Sequence, residues 1–289
     1  MTLDPCSTVI DTTTAHPARR YNYWLGGKDN FEADRVSADA IEKIYSGIRT
    51  AAVENRLFLH RVVRYLVEVE GLRQFLDVGT GLPTHDNTHE VAQQLDPCAR
   101  IVYVDNDPLV LVHARALLTS HPCGATAYVQ ADLRRPDDIL AAPELKGTLD
   151  LTLPVAVLLV AVLHFLPDHQ QAHTAVQTLM DAMPPGSFLV ISHATTDLLP
   201  ADTARRLTAP DLPGRGDFTA RTHEQVTSFF DGLTLLDPGV QVLSTWRPDP
   251  DHPPPPADQV AAYGAVARKP TVRHHEPPAP GQRRRTGGR

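Results

Sequence analysis

The chain has 289 residues, 42% of them hydrophobic, enough for one sizeable core and, at ~100–200 residues per domain, one large domain with additions. Its 34 acidic and 27 basic side chains give a formal charge of -7, which favours solubility and excludes a general attraction to nucleic acid or anionic membrane. Three scattered cysteines, Cys6, Cys98 and Cys123, exclude a disulfide framework or a paired-thiolate metal site and fit a reducing compartment.

The polar, threonine-rich, aperiodic stretch 1–20 reads as a loose arm. Residues 1–16 are its flexible part and 17–72 a helical cap. Met1-Thr2-Leu3-Asp4-Pro5 has neither the basic nor the apolar region of a secretory signal, and the longest apolar run, 155–163, falls short of the ~20 residues of a membrane span. A cytoplasmic protein without a membrane partner is expected, and nothing in the sequence sets an oligomeric state. Residues 30–45, acidic and alanine-rich, suit a helix. In 50–71, Val53, Leu57, Val62, Leu66 and Val69 recur at near-helical spacing, and Gly71 is placed to stop them.

Short β-rich runs then alternate with helical segments. Strands are expected at 74–78, 100–105, 127–131, 155–161 and 188–192, with helices near 88–95, 108–118 and 168–183. This is the pattern of a parallel sheet with crossover helices, and the unbroken apolar run 155–161 suits a strand buried on both faces. Residues 198–207 read as a short helix. Thr222-His223-Glu224-Gln225 reads as a capping box before 226–230. Runs 240–246 and 259–267 suit an antiparallel edge pair, separated by 248–256, whose six prolines bar ladder or helix interior. The sheet domain is bounded at 73–269; the Pro-, Gly- and Arg-rich tail 270–289 is expected to be disordered.

The turn Asp77-Val78-Gly79-Thr80-Gly81 brings bare backbone close to whatever lies above the sheet, because glycine permits both tight turning and close approach. Alone it equally describes a turn without a ligand. Asp77, however, puts a carboxylate where it could balance an amino acid ammonium and lie near a sulfonium. A dinucleotide fingerprint would need glycine at position 84, which is Thr84. Asp105 closes the second strand 28 residues beyond Asp77, where a doubly wound fold presents an acid to ribose hydroxyls, while Asp107 suits a helix cap. Asp132, 27 residues further, ends the third strand and can accept from an adenine amine. Each acid alone reads as a turn or cap residue; together they fall at successive strand ends.

Phe75-Leu76-Asp77-Val78-Gly79-Thr80-Gly81, Val104-Asp105 and Ala131-Asp132-Leu133 resemble the nucleotide-binding series of class I S-adenosylmethionine (SAM)-dependent methyltransferases. Tyr21-Asn22-Tyr23-Trp24-Leu25-Gly26-Gly27-Lys28-Asp29-Asn30, Gly79-Thr80-Gly81-Leu82-Pro83-Thr84, Asn87-Thr88-His89-Glu90, Tyr103-Val104-Asp105-Asn106-Asp107-Pro108 and Pro154-Val155-Ala156-Val157-Leu158-Leu159 resemble a bacterial methyltransferase family of largely undefined substrate, over about residues 17–268. The resemblance implies a Rossmann-like α/β fold: a mostly parallel seven-stranded sheet with helices on both faces and an N-terminal helical lid. It implies SAM across the first strand ends, with Asp77, Gly79, Thr80 and Gly81 near the methionine part, Asp105 on the ribose, Asp132 and the Leu133 amide on adenine, and Asn106 beside them. Pro83 stands where the family's third glycine is usual, which stiffens the loop and removes an amide.

Tyr21, Tyr23, Gly26, Gly27, Lys28 and Asn30 are expected to belong to a lid hinged at the glycines, the competing reading being an aromatic strap packed on the core. Asn55 and Arg56 are placed near it. His164 follows the fourth strand, where this class faces the transferred methyl; it is the candidate general base, against a histidine that merely orients a loop. His85, His89, His169 and His173 make no convincing ligand set, so no metal is expected, and His169 and His173 suit a solvated helix face. Pro97-Cys98 and Pro122-Cys123 share the nucleophile dipeptide of cytosine methyltransferases but fall before strands, away from the ligand edge. No Asn-Pro-Pro-Tyr type motif is present, and Arg283-Arg284-Arg285 reads as a charged end. The expected function is SAM-dependent methyl transfer to a small-molecule acceptor, in which the protein supplies chiefly orientation. The alternatives are a SAM-binding regulatory protein without turnover and a nicotinamide-dependent oxidoreductase, which Asp77 and Thr84 oppose.

Overall fold

The computed structural model describes residues 10–84, 86–117, 119–212 and 216–271. The expectations for Cys6, His85, the first nine residues and the tail from 272, including its arginine run, lie outside the described residues. Three helices come first, α1 (Pro17–Trp24), α2 (Glu32–Glu42) and α3 (Ile48–Glu68). The alternating part follows: β1 (Gln74–Val78), α4 (Thr88–Leu95), β2 (Arg100–Asp105), α5 (Pro108–Leu117), β3 (Ala125–Gln130), α6 (Pro136–Ala141), α7 (Pro143–Thr148), β4 (Ala156–Val160), α8 (His169–Ala182) and β5 (Phe188–Ala194). The chain continues with α9 (Ala201–Leu207), α10 (His223–Ser228), β6 (Thr234–Leu235), β7 (Gln241–Val242), α11 (Ala257–Val260) and β8 (Ala262–Arg268).

The strands form one sheet in the order β3-β2-β1-β4-β5-β8-β6, with β7 also paired to β8. The first five are mutually parallel, and β8 runs antiparallel to β5. β6 and β7 share the far side of β8, pairing Thr234 with Arg268 and Gln241 with Gly264. The expected seven-position layout thus holds eight strands among the described residues, because its last position is two short pieces. Pro238 between them has no amide to donate, which an edge tolerates.

The period of two sorts side chains between two cores. Leu76, Val102, Val104, Val157, Leu159, Leu189 and Ile191 face α6, α7, α8 and α10 through Ile139, Leu145, Val176, Leu179 and Val226. Phe75, Ile101, Tyr103, Leu158 and Val190 face α3 and α4 through Phe58, Val62, Leu66, Val91 and Ala92. The buried stripe of α3 is Phe58, Leu59, Val62, Val63, Leu66 and Val67, whereas Val53 and Val69 are exposed. The expected stripe was therefore out of phase at both ends.

Other expectations shift for local reasons. Residues 17–20 are not loose: α1 begins with Pro17 at its first position, His16 accepts from the Ala18 amide at 3.3 Å, and the Asp34 carboxylate accepts from the His16 amide at 2.8 Å. α6 and α7 escape the sequence reading because six residues each carry no period, although both open on proline. Run 240–246 is strand only at β7, since 243–245 turn into a 3-10 helix that buries Trp246 edge-on to Phe58 and Tyr65. Residues 259–260 end α11, and left-handed Ala261 (φ 42°) turns the chain into β8.

The box at Thr222 forms as expected: its side chain accepts from the Gln225 amide, and the Gln225 side chain accepts from the Thr222 amide at 3.0 Å. Thr222→Ala is expected to lower unfolding free energy by about 1 kcal/mol, read from the urea midpoint at unchanged slope. No described helix is long and apolar enough to cross a membrane.

Candidate functional site

Between β1 and β4 the strand order reverses, so successive loops leave their carboxyl ends in opposite directions and open a crevice. A cavity of about 450 Å³ lies there, walled below by the ends of β1–β5 and roofed by α1, the α2–α3 connection and residues from 195–212 and 216–218. That size suits a small-molecule site, typically ~300–1,000 Å³.

The two turn glycines do different things. The Gly79 and Thr80 amides donate to the Val104 carbonyl at 2.8 and 3.2 Å, and Gly79 has φ 76°. A Cβ there would lie 2.4 Å from Val162 Cγ2, in the loop after β4. Gly81 (φ 69°) lines the cavity, and a Cβ on it would meet nothing within 4 Å among the described residues. The first glycine lets two loops touch; the second keeps open space open.

Asp77 and Asp105 both line the cavity and are buried. Thr88 Oγ1 donates to Asp77 Oδ2 at 2.6 Å, yet burial pushes the Asp77 carboxyl up to about 6. Thr88 opens α4, whose start is fixed by Asn87, with its amide donating to Glu90 Oε2 at 2.7 Å and its Oδ1 accepting from the Thr84 amide at 3.1 Å. Asp105 accepts from the Gly81 amide on Oδ2 at 2.8 Å and from the Asp107 amide on Oδ1 at 2.9 Å, and burial pushes it too up to about 6. One carboxylate thus clamps the glycine turn to the end of β2 while keeping a spare lone pair on each oxygen. Asp107 accepts from the Leu109 amide at 2.9 Å, the cap expected of it.

Asp132, Leu133 and Asn106 also line the cavity. Asp132 accepts from Arg134 Nε at 3.0 Å and Nη2 at 2.6 Å, and Arg134 Nη1 reaches Asp217 at 3.6 Å. Burial works to raise the Asp132 carboxyl, but the Arg134 bonds and Asn106 Nδ2, donating at 3.4 Å, leave it below its ordinary value.

The tyrosine-glycine motif divides. Tyr21 and Trp24 line the cavity; Tyr23, Gly26, Gly27, Lys28 and Asn30 are not part of its wall. Tyr21 Oη donates to the Ala52 carbonyl at 2.9 Å and accepts from Asn55 Nδ2 at 2.8 Å, while Asn55 Oδ1 accepts from Ser192 Oγ at 2.5 Å. This chain of bonds ties α1 through α3 to β5. Tyr23 turns away to donate to Asp39 at 3.0 Å. Asn30 Nδ2 donates to Asn22 Oδ1 and to the Gly27 carbonyl, both at 3.0 Å, so Gly26-Gly27 is a hydrogen-bonded turn packed on Asn22, and Lys28 is exposed.

His164 sits in the 3-10 turn after β4, against the rings of Phe165, His193 and Phe218. Burial, with Arg221 and Arg20 nearby, pushes it down to about 3. Arg221 and His193 were not singled out in the sequence. Buried Arg221 donates to the Leu163 and Leu166 carbonyls at 2.9 and 2.6 Å, to His193 Nε2 at 2.8 Å and to His169 Nδ1 at 3.1 Å. Because arginine only donates, the His193 proton is assigned to Nδ1, which faces the Ala194 carbonyl at 2.8 Å. His169 and His173 are half-buried rather than on a fully solvated face: they join α8 to α10, with His173 Nε2 on the Ser228 carbonyl at 3.1 Å. Ala161 (φ 56°) and Ala261 (φ 42°), both non-glycine left-handed residues, line the cavity, a strain of ~1–2 kcal/mol each held by the surrounding bonds. Cys98 and Cys123 are exposed, before β2 and β3 and away from the cavity. Among the described residues no cluster of three or more His, Cys, Asp or Glu could hold a metal.

A family model described as S-adenosyl methyltransferase matches residues 4–270. The crystal structure of a DUF574 family protein from Streptomyces avermitilis is similar at TM-score 0.85 and 43% identity, covering 91% of this chain and 100% of the other. That of a candidate methyltransferase from Thermobifida fusca is similar at TM-score 0.80 and 40% identity, covering 90% and 97%. An O-methyltransferase family protein from Burkholderia thailandensis shares the fold at TM-score 0.51 and 14% identity, over 78% of this chain and 59% of its own. No curated protein matches.

Proposed function

The chain belongs to the S-adenosyl methyltransferase family and is a SAM-dependent methyltransferase, and on that premise we propose that the cavity holds SAM along the ends of β1–β3 and a small-molecule acceptor beside His164. The observation that carries the donor's placement is the open space at Gly81 between two buried carboxylates, Asp77 and Asp105. The start of α4 supports it. That helix begins seven residues after Gly81 and gives its first hydroxyl to Asp77, so a helix N-terminus that would suit a pyrophosphate is directed at a carboxylate instead. This disfavours the nicotinamide alternative.

When bound, SAM supplies a methyl group on a sulfonium already activated for displacement, so the protein's share is orientation and exclusion of water. Asp77, a buried carboxylate without a cationic partner in bonding distance among the described residues, suits an ammonium. The spare lone pairs of Asp105 suit a ribose diol. Asp132 can take an adenine amine only by sharing the oxygens that Arg134 already uses. α1 and α2 close the site as a cap, with Tyr21 and Trp24 on the inside.

The low proton affinity of His164 changes its proposed role. A base this weak lies far from the working pH at which proton removal is efficient. It acts instead as a neutral hydrogen-bonding group that orients the acceptor, and Arg221 and His193 are positioning residues behind it. The enzyme is placed in the bacterial cytoplasm, without a nucleic-acid or membrane partner.

Calorimetry is expected to show S-adenosylhomocysteine binding in the micromolar range, and a tritiated-methyl screen of cell extract to yield a labelled small molecule. His164→Ala should cut that label at least tenfold while changing S-adenosylhomocysteine affinity less than threefold, and His164→Gln, which can still accept, should recover part of it. NADH binding without S-adenosylhomocysteine binding would reverse the assignment.

A further inference from the structure

We propose that the methyl acceptor is a neutral, largely apolar small molecule seated in the lobe of the cavity formed by Ile41, Tyr45, Ile48, Leu199, Leu207 and Leu212. This rests on the donor lying along β1–β3. The cavity wall is segregated by charge. Its charged side chains, Arg20, Arg56, Asp77, Asp105, Asp132, Arg134 and Asp217, come from α1, the middle of α3, the first three strand ends and the loop at 217. The lining residues drawn from 41–51, 199–212 and 260–262 include one ionisable group, Tyr45.

The lobe is also a packing unit of its own. Tyr45, Leu207 and Ala261 form a small cluster apart from both sheet cores, flanked by Ile41, Ile44, Ile48, Ala51 and Leu199, which are only partly buried. An apolar ligand would complete their burial. A phosphate, carboxylate or ammonium there would lose its hydration against a wall that, among the described residues, offers no counter-charge.

Polar handles remain, and they are neutral. Among the described residues the Tyr45 hydroxyl, Trp24 Nε1 and His164 Nδ1 are buried atoms without a hydrogen-bond partner, and all three side chains line the cavity. Buried polar groups are rarely left so, and an orphan on a cavity wall marks where a ligand atom completes the set. Burial pushes the Tyr45 phenol above its ordinary value, with Asp258 nearby adding to it, so it stays an uncharged hydroxyl. The matching ligand is thus an apolar body with a few oxygen or nitrogen atoms and no formal charge. Nucleotides, sugar phosphates and acidic peptides are the wrong class.

The test uses the full chain saturated with S-adenosylhomocysteine and size-matched probe pairs, 2-naphthol against 2-naphthoate and 7-hydroxycoumarin against coumarin-3-carboxylate, titrated by calorimetry below the pKa of the two phenols. Each neutral probe is expected to bind at least tenfold more tightly than its anion. Leu207→Asp should weaken 2-naphthol at least tenfold with S-adenosylhomocysteine affinity held within twofold. Should that variant lose S-adenosylhomocysteine binding through misfolding, the half-buried Leu199→Asp carries the same expectation. Anions binding as well as neutral probes, no neutral probe binding, or neutral probes indifferent to the lobe variants would overturn the proposal. Failure of S-adenosylhomocysteine to bind the wild-type chain would instead overturn the donor site on which it rests.

Discussion

Asp105→Ala is expected to weaken S-adenosylhomocysteine binding at least a hundredfold, measured by calorimetry at pH 7.5. Hydrogen bonds to a charged partner contribute ~1.5–3 kcal/mol each, and 1.4 kcal/mol is a factor of ten in affinity. Loss of two ribose bonds is therefore the larger part. The remainder comes from the free protein, where Asp105 holds the Gly81 and Asp107 amides. Without the carboxylate the glycine turn loses its tether to β2. Asp105→Asn keeps one acceptor oxygen and should fall between wild type and alanine.

The same residue sets a pH dependence whose sign follows from its environment. In the free protein burial pushes Asp105 up to about 6, so below that pH it carries a proton and offers one fewer acceptor oxygen. A ligand that needs the carboxylate must displace that proton. Affinity should rise with pH through about 6 and level off above 7, with proton release detectable below 6 by comparing buffers of different ionisation enthalpy. Asp77, also pushed up to about 6, adds to the step. Asp105→Asn should shrink the step and leave the Asp77 share. A pH-independent affinity between 5 and 7.5 would separate these carboxylates from the ligand.

What the sequence made legible was whatever is encoded over short spans. The acids Asp77, Asp105 and Asp132 stand at strand ends, so reading the strands places them together without any tertiary information, and parallel pairing brings them to one cavity. Longer-range features were hidden for physical reasons. Arg221 and the carbonyl of Leu163 are 58 positions apart, and nothing local marks Arg221 except the capping box beside it. The rank of His164 as a base depended on desolvation, which only packing creates. The motif from Tyr21 to Asn30 reads as one lid, but a helix presents alternate faces, so Tyr21 and Trp24 look inward while Tyr23 looks at α2.

Gly79→Ala and Gly81→Ala are expected to fail in different ways. A Cβ at position 79 would sit 2.4 Å from Val162 Cγ2 and 2.6 Å from its Cβ, while the Gly79 amide holds the β1 loop to the Val104 carbonyl. Left-handed strain of ~1–2 kcal/mol adds to overpacking of ~1–3 kcal/mol, so about 2–5 kcal/mol of stability should be lost. That is visible as a drop in urea midpoint with or without ligand. At position 81 no atom of the described residues is in the way, and left-handed strain acts alone, ~1–2 kcal/mol. The methyl instead enters the space assigned to the donor, so S-adenosylhomocysteine affinity should fall more than tenfold in a protein that remains folded. If Gly81→Ala bound as wild type, the donor could not lie against this turn; if Gly79→Ala kept full stability, the contact between the β1 and β4 loops would not be what demands glycine there.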